Sequence, residues 1–501
     1  NPQAKRVIKE AFNGILKHID KNGKFIWEEN FTKYGYESHE HAWRLLSILL
    51  SFIWISDEIF MPKEKMEIED ALLRAGEWLY KNPLTQTNNR GISWLSVLVL
   101  CGHYFEKPEW LALADKYVKD IICGVIYEDG EVGEHTSQYS GGGPCSNYTY
   151  TSWPYIYLWR ICSDRNEFDE RLFKALCWNV RFNTLTGWPI VTGASVRMFV
   201  TNTKIEAVFP MLEKFVHKDK FFVYVLDKWI ERLEKCEKDY LWALPVILAM
   251  LEKQVKQYPE DISLPLWYKN SVEFYNRPNV YYVLISKEYQ TGITFRGCKG
   301  YYEGKLRGLQ TFAYKSEPPI LLHTHTHGSS IEADEIITSL KDVGKEDKEW
   351  EIFYQSSEDN LLNTIVTRYS HLWIIYAFTP SSVVVVTCGA KGKIISRWVI
   401  NRIALKEITP QIDSEKKKLF FQNLQSAITF TANNCRLEKI EDGYILVLKE
   451  DPPISITSFS TKEFVFKKID MEQKIIVFSD DTGSYEINFK NFLNNSGNID
   501  S

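Results

Sequence analysis

The 501-residue sequence has no excess of basic residues, no paired cysteines and no long apolar run. Lys and Arg number 60 against 65 Asp and Glu, and the resulting net charge of −5 argues against a nucleic-acid binder. Nine cysteines are scattered singly without a CxxC pair, so neither a zinc ribbon nor a disulfide framework is predicted. The most apolar run, residues 45–55, is too short for a membrane span and is expected to form a buried helix.

The remaining composition is that of a folded globular protein. Hydrophobic residues make up 45% and charged residues 25% of the chain, while an aromatic content of 14% favours a protein rich in stacking surfaces. The length predicts two domains. The sequence begins at Asn1 and shows no signal peptide, which leaves a secreted and a cytoplasmic location equally open. The oligomeric state is also left open.

Residues 1–256 have the periodicity of amphipathic helices. Apolar residues share one helical face at Ile68, Leu72, Ala75 and Leu79, and the same spacing recurs later in this half. Short turns separate the helices, which predicts successive antiparallel hairpins. No repeat of fixed period is present, so we predict an incomplete α/α toroid rather than a regular solenoid.

The second half of the chain is predicted to be an antiparallel β-sandwich over residues 279–501, after a proline-punctuated linker at 257–278. No helical pattern separates its short β-rich segments, which favours antiparallel sheets. The predicted fold class is therefore α+β with two domains. The predicted strands are 280–285, 293–295, 374–378, 383–387, 444–448, 454–458, 475–478 and 485–489.

Residues 127–160 combine acidic and aromatic side chains around a glycine-rich hinge at 141–143. Such a mixture suits a sugar-binding cleft, although composition alone favours an irregular loop whose aromatic residues only complete a hydrophobic core. The candidate substrate contacts in this stretch are Glu134, His135, Tyr148, Tyr150 and Trp153.

Asn88, Asn89 and Arg90 lie at the start of an apolar segment. An asparagine there can cap a helix. Two adjacent amides and a guanidinium can equally hold a carboxylate, because arginine offers a planar fork of donors. Both interpretations stay open at this point.

Three of the ten histidines fall within five residues, at His323, His325 and His327. Alternate residues of a strand face the same way, so their imidazoles would line one side. This pattern predicts either a metal site or an acid–base site.

These motifs resemble those of the polysaccharide lyases of the heparinase II/III and alginate-lyase type, which join an incomplete helical toroid to an antiparallel β-sandwich. The similar segments are 88–91, 134–139, 323–327 and Asp342 with its neighbours. Three positions depart from the family pattern: Arg90 and Leu362 stand where a histidine is usual, and His327 where an aspartate is usual.

The resemblance implies β-elimination at a uronic acid in a polysaccharide or oligosaccharide, with no nucleic acid and no membrane as partner. Asn89 and Arg90, supported by Asn88, would neutralise the uronate carboxylate. Tyr139 would act as the acid, and also as the base for a syn elimination, whereas His323 would be the base for an anti elimination. The two halves of the chain would meet across a cleft that carries these groups.

No metal is required for this chemistry. His325 and Asp342 are the two candidate ligands for a structural zinc, and two ligands do not complete a zinc site.

Two alternatives stay open. A glycoside hydrolase on a helical toroid would need a pair of carboxylates, which Asp129, Glu131 and Glu134 could supply. A non-catalytic carbohydrate-binding relative would keep the architecture without the chemistry.

Overall fold

The computed structural model describes residues 2–26, 37–128, 130–132, 146–163, 165–181, 183, 205–219, 221–235, 273–277, 281–286, 288–294, 308–314, 351–369, 372–388, 394–401, 409–421, 426–440, 443–450, 454–470 and 472–490. The chain divides into two compact units. Helices build the first unit and antiparallel strands the second, which confirms the predicted α+β fold class.

The described helices between residues 37 and 125 follow one another through short connections. Two 3₁₀ turns, Asn166–Phe168 and Ile205–Val208, directly precede the helices that begin at Asp169 and Phe209. None of the helices in the described ranges has the length and apolarity needed to cross a bilayer. The helices are α1 (Pro2–Leu16), α2 (Glu37–Ile59), α3 (Pro62–Lys81), α4 (Asn89–Tyr104), α5 (Pro108–Val125), α6 (Ser146–Ser163), α7 (Asp169–Arg181), α8 (Phe209–Phe215) and α9 (Phe221–Lys235).

The helical faces predicted from the sequence are the buried ones. Ile68, Leu72, Ala75 and Leu79 of α3 are all at most 2% exposed. Helix α4 differs, because it is buried on nearly every side and packs against α2, α3 and α5. A helix buried all round belongs to the core of its unit, so the residues at its start are fixed by the surrounding packing.

The described strands of the second unit form four antiparallel sheets. Strands β1 to β4 form one sheet, and an eight-stranded sheet has the order β10-β11-β12-β15-β8-β7-β6-β5. The two remaining sheets are β13-β14-β9 and β16-β17-β18. The strands are β1 (Glu273–Arg277), β2 (Tyr281–Ile285), β3 (Tyr289–Thr294), β4 (Gly308–Tyr314), β5 (Glu351–Ser356), β6 (Asn363–Tyr369), β7 (Leu372–Phe378), β8 (Ser382–Cys388), β9 (Ile394–Asn401), β10 (Pro410–Asp413), β11 (Lys418–Phe421), β12 (Ala427–Phe430), β13 (Asn434–Ile440), β14 (Gly443–Glu450), β15 (Ile454–Ser460), β16 (Phe464–Asp470), β17 (Ile475–Asp480) and β18 (Gly483–Asn488).

The eight-stranded sheet is the middle layer, because both of its faces are buried. Ile365, Tyr376 and Phe378 pack on one face in a core that also contains residues of β2, β3, β9 and β14. Their neighbours Val366 and Ala377 pack on the other face with residues of β16, β17 and β18. The period of two along each strand thus sends alternate side chains into two separate cores.

Each of the eight predicted strand segments overlaps an observed strand. Strand β1 lies within 257–278, the range predicted to be a linker. The domain boundaries at 256 and 279 stay predictions.

Candidate active site

Asn88 is the N-cap of helix α4. Its side-chain oxygen accepts hydrogen bonds from the backbone N–H groups of Arg90 at 3.0 Å and Gly91 at 3.4 Å, and its Nδ2 donates to Gln86 Oε1 at 3.3 Å. The capping interpretation of this asparagine is therefore confirmed. A supporting role in substrate binding stays a prediction.

Two glycines hold the turn before α4 in place. A Cβ on Gly91 would lie 1.8 Å from the Gln86 carbonyl oxygen, and one on Gly124 would lie 2.4 Å from Thr87 Cγ2. Only a residue without a side chain permits such close backbone approach. Residues 86–88 are consequently packed tightly against the first turn of α4 and the end of α5.

Asn89 and Arg90 occupy the first two positions of α4. Asn89 is 5% exposed, and its carboxamide makes no hydrogen bond to any residue that the structure describes. Arg90 is partly buried. No acidic residue lies in the first turn of α4, where the helix dipole places partial positive charge. The arrangement is therefore suited to receive an anion such as a carboxylate.

His39, from the first turn of α2, packs against the same part of α4. Its Nδ1 lies 3.2 Å from Ser93 Oγ, and its ring centroid lies 4.4 Å from that of Trp43. Burial, and then the charge of Arg90, lower the pKa of His39 to about 3. The imidazole is therefore neutral near pH 7.

Sequence reasoning missed His39. The signal was a histidine and a tryptophan four residues apart, His39 and Trp43, on one face of a helix. Nothing in that spacing identifies Ser93 and Arg90 as neighbours, because they come from a different helix.

Two aromatic residues from the stretch 127–160 complete a hydrophobic core. Trp153 is fully buried, and Tyr155, at 4% exposure, stacks on Trp43 with ring centroids 6.2 Å apart. Burial, and then the charge of Glu40, raise the pKa of Tyr155 well above 10. A fully buried indole offers no face to a sugar, so Trp153 is a core residue rather than the substrate contact predicted from sequence.

For most of the other residues predicted from the sequence, the structure does not describe the side chain. Tyr148 and Tyr150 lie in α6, and only their backbone is described. Glu131 is fully buried, with its carbonyl oxygen accepting from the Tyr127 N–H at 2.9 Å. The predicted residues that lie outside the described ranges are Asp129, Glu134, His135, Tyr139, His323, His325, His327 and Asp342.

Among the described residues, no group of three histidines, cysteines or carboxylates is arranged to hold a metal ion. His41, which is fully buried, has its Nε2 2.9 Å from the Ala75 carbonyl oxygen and its ring packed between Phe25 and Trp78. Its role in the described part of the chain is structural.

The folded chain was compared with known proteins. One structure of heparinase III matches with a TM-score of 0.59 at 11% identity, covering 96% of this chain and 79% of that chain. A second heparinase III structure matches with a TM-score of 0.52 at 11% identity, covering 91% and 74%. This chain has the fold of heparinase III. The predicted likeness to the polysaccharide lyases, with a helical toroid and an antiparallel β-sandwich, is thereby confirmed for the fold.

A third match is the Streptomyces coelicolor chondroitin AC lyase in complex with chondroitin sulphate, at a TM-score of 0.47 and 10% identity over 94% of this chain and 82% of that one. No protein-family model and no curated protein matches the sequence. At such identities the likeness concerns the fold alone.

Proposed function

We propose that this protein is a polysaccharide lyase that cleaves a uronate-containing glycan by β-elimination. The observation that carries the proposal is the placement of Asn89 and Arg90 together in the first turn of α4, beside the neutral His39. The fold shared with heparinase III supports the same reaction class.

The chemistry explains why an amide and a guanidinium are needed. The C5 proton of a uronate is only weakly acidic while the neighbouring carboxylate is charged. Arg90 would neutralise that carboxylate through its planar fork, and Asn89 would donate to the oxygen on which charge develops. The positive end of α4 adds to this stabilisation.

The elimination itself requires one base and one acid. The base removes the C5 proton, the electron pair forms the C4–C5 double bond, and the C4–O4 bond breaks. The acid then protonates the leaving O4 oxygen, so that no water is consumed. Tyr139 is the proposed acid and serves as base in a syn elimination, while His323 is the proposed base in an anti elimination.

Further substrate contacts are proposed from the sequence at Glu134, His135, Tyr148 and Tyr150, with Asn88 in support as the cap of α4. The reaction requires no metal. His325 and Asp342 stay the candidate pair for a structural zinc.

Two other functions make different predictions. A hydrolase would use carboxylates at Asp129, Glu131 and Glu134, one of which, Glu131, is fully buried. A carbohydrate-binding relative would bind glycans without cleaving them.

The deciding experiment is incubation with hyaluronan, chondroitin, heparan sulfate, alginate and polygalacturonate, followed by ultraviolet absorbance. A lyase produces an absorbing unsaturated uronate from at least one of them. New reducing ends without that absorbance identify a hydrolase. Binding without either product identifies a carbohydrate-binding protein, and either result overturns the proposal.

A further inference from the structure

Two hydrogen bonds determine which ring nitrogen of His39 carries the proton. The Ser93 hydroxyl donates to the Arg90 carbonyl oxygen at 2.8 Å. Because its only proton is used there, Ser93 Oγ can only accept from His39, whose Nδ1 lies 3.2 Å away. This geometry favours the Nδ1–H tautomer of His39, in which Nε2 keeps a lone pair.

Asn89 lies on the same face of α4 as Ser93, because the two residues are four positions apart. Asn89 is 5% exposed and His39 is 8% exposed. Within the described part of the chain, neither the Asn89 carboxamide nor His39 Nε2 makes a hydrogen bond, and neither group is among the completely buried polar atoms that lack a partner. Because each group keeps some exposure, each can form a hydrogen bond with water or with a ligand.

The lone pair on His39 Nε2 could serve as a catalytic base or as a hydrogen-bond acceptor, and the pKa of His39 distinguishes these two roles. A catalytic base works best when its pKa lies near the working pH. Burial and the charge of Arg90 lower the pKa of His39 to about 3, so its imidazole is a weak base. A neutral imidazole that cannot readily take a proton still accepts a hydrogen bond, and sugars offer hydroxyl donors.

We propose that His39 Nε2 accepts a hydrogen bond from a hydroxyl of the uronate whose carboxylate is bound by Asn89 and Arg90. His39 is then a specificity-determining residue, which selects uronates that carry a free hydroxyl at this position. This inference rests on the proposed function for the identity of the sugar. Its geometry rests on the His39–Ser93–Arg90 hydrogen bonds alone.

Two substitutions separate the two ring nitrogens. His39→Asn places an amide N–H near the position of Nδ1, so it retains the hydrogen bond to Ser93 and loses the acceptor. His39→Gln places a carbonyl oxygen near the position of Nε2, so it retains the acceptor and loses the bond to Ser93. For both variants, KM is measured with the panel glycan that wild type cleaves, and the thermal unfolding midpoint is measured as well.

His39→Asn is expected to raise KM roughly tenfold or more with an unchanged unfolding midpoint, whereas His39→Gln keeps KM within about threefold. An O-methylated form of the same oligosaccharide should bind wild type as weakly as the parent binds His39→Asn. A purely structural His39 would give the reverse order, with normal KM in His39→Asn, and that result overturns the inference.

A measurement independent of turnover separates this inference from the proposed function. Nitrogen-15 NMR of labelled histidines identifies the tautomer of His39 directly, and calorimetry measures glycan binding by wild type and both variants. If no unsaturated product forms but glycan still binds in a way that depends on His39, the proposed lyase activity is wrong and the proposed role of His39 in binding stands. An Nε2–H tautomer, or no glycan binding by wild type, overturns the subsite.

Discussion

Arg90 supplies the positive charge of the candidate site from the second position of α4. We expect Arg90→Lys to lower kcat/KM by roughly ten- to a hundredfold, because the charge stays but the bidentate fork is lost. The check is steady-state kinetics on the cleaved glycan. Arg6→Lys is the matched control, since that side chain is 72% exposed in α1. Unchanged turnover in Arg90→Lys would make Arg90 a structural residue.

Tyr139 is the residue that the proposal requires for proton transfer. Tyr139→Phe removes only the hydroxyl, so folding and glycan binding should persist while the elimination rate falls by about a hundred- to ten-thousandfold. Single-turnover absorbance measures that rate. A hydrolase would instead tolerate Tyr139→Phe and lose activity in Asp129→Asn, Glu131→Gln or Glu134→Gln. Near-normal lyase activity in Tyr139→Phe would move the role to Tyr148 or Tyr150.

At the residue scale, sequence identified the start of α4 but not its surroundings. A cap followed by an amide and a guanidinium is a local pattern, so Asn88, Asn89 and Arg90 could be singled out directly. His39 could not be singled out, because its role depends on a hydrogen bond to Ser93 in another helix. Trp153 was misassigned since one sequence cannot distinguish an aromatic residue that faces a cleft from one that faces the core.

The start of helix α4 depends on a glycine at position 91. A Cβ there would meet the Gln86 carbonyl oxygen at 1.8 Å. Gly91→Ala should therefore displace residues 86–91, destabilise the fold by about 1–3 kcal/mol and lower activity. Urea unfolding and the absorbance assay measure both effects.

Gly14→Ala is the matched control for Gly91→Ala, because it is also a helical glycine and no atom lies within 4 Å of its added Cβ. It should stabilise α1 by about 0.5–1 kcal/mol through helix propensity. Equal effects of the two substitutions would contradict the tight packing of the turn before α4.

At the element scale, the positions of the strands were predicted better than the arrangement of the sheets in layers. The four consecutive valines 383–386 indicate a strand buried on both faces, and β8 is such a strand. In a two-sheet sandwich each strand has one buried face. The structure instead has two cores, on opposite faces of the middle sheet, and these show that the strands form three layers. Strand pairing between distant segments is not encoded in local periodicity.

The whole helical unit should lose stability in mild acid through two buried histidines. Burial is the main cause that lowers the pKa of His39 to about 3 and that of His41 to about 4, from 6.5. Between pH 6.5 and about 4 the unfolded chain binds more protons, so the free energy of unfolding falls as pH falls. Each histidine contributes a slope of about 1.4 kcal/mol per pH unit.

His41→Gln isolates one of these two contributions. Glutamine retains a donor for the Ala75 carbonyl oxygen but does not titrate, so the slope between pH 5 and 6 should fall by about 1.4 kcal/mol per pH unit. Urea unfolding at a series of pH values measures it. The exposed His103 supplies the control variant His103→Gln. An unchanged slope in His41→Gln would contradict the account.

The most direct test of the central claim is the structure of the product. Mass spectrometry and proton NMR are applied to the fragments that wild type releases from the panel glycan with the largest absorbance change. The account predicts a new non-reducing end that carries a C4–C5 double bond and is lighter by one water than a hydrolytic fragment, and predicts its loss in Asn89→Ala. Fragments that have gained water, with a saturated uronate at that end, would contradict it.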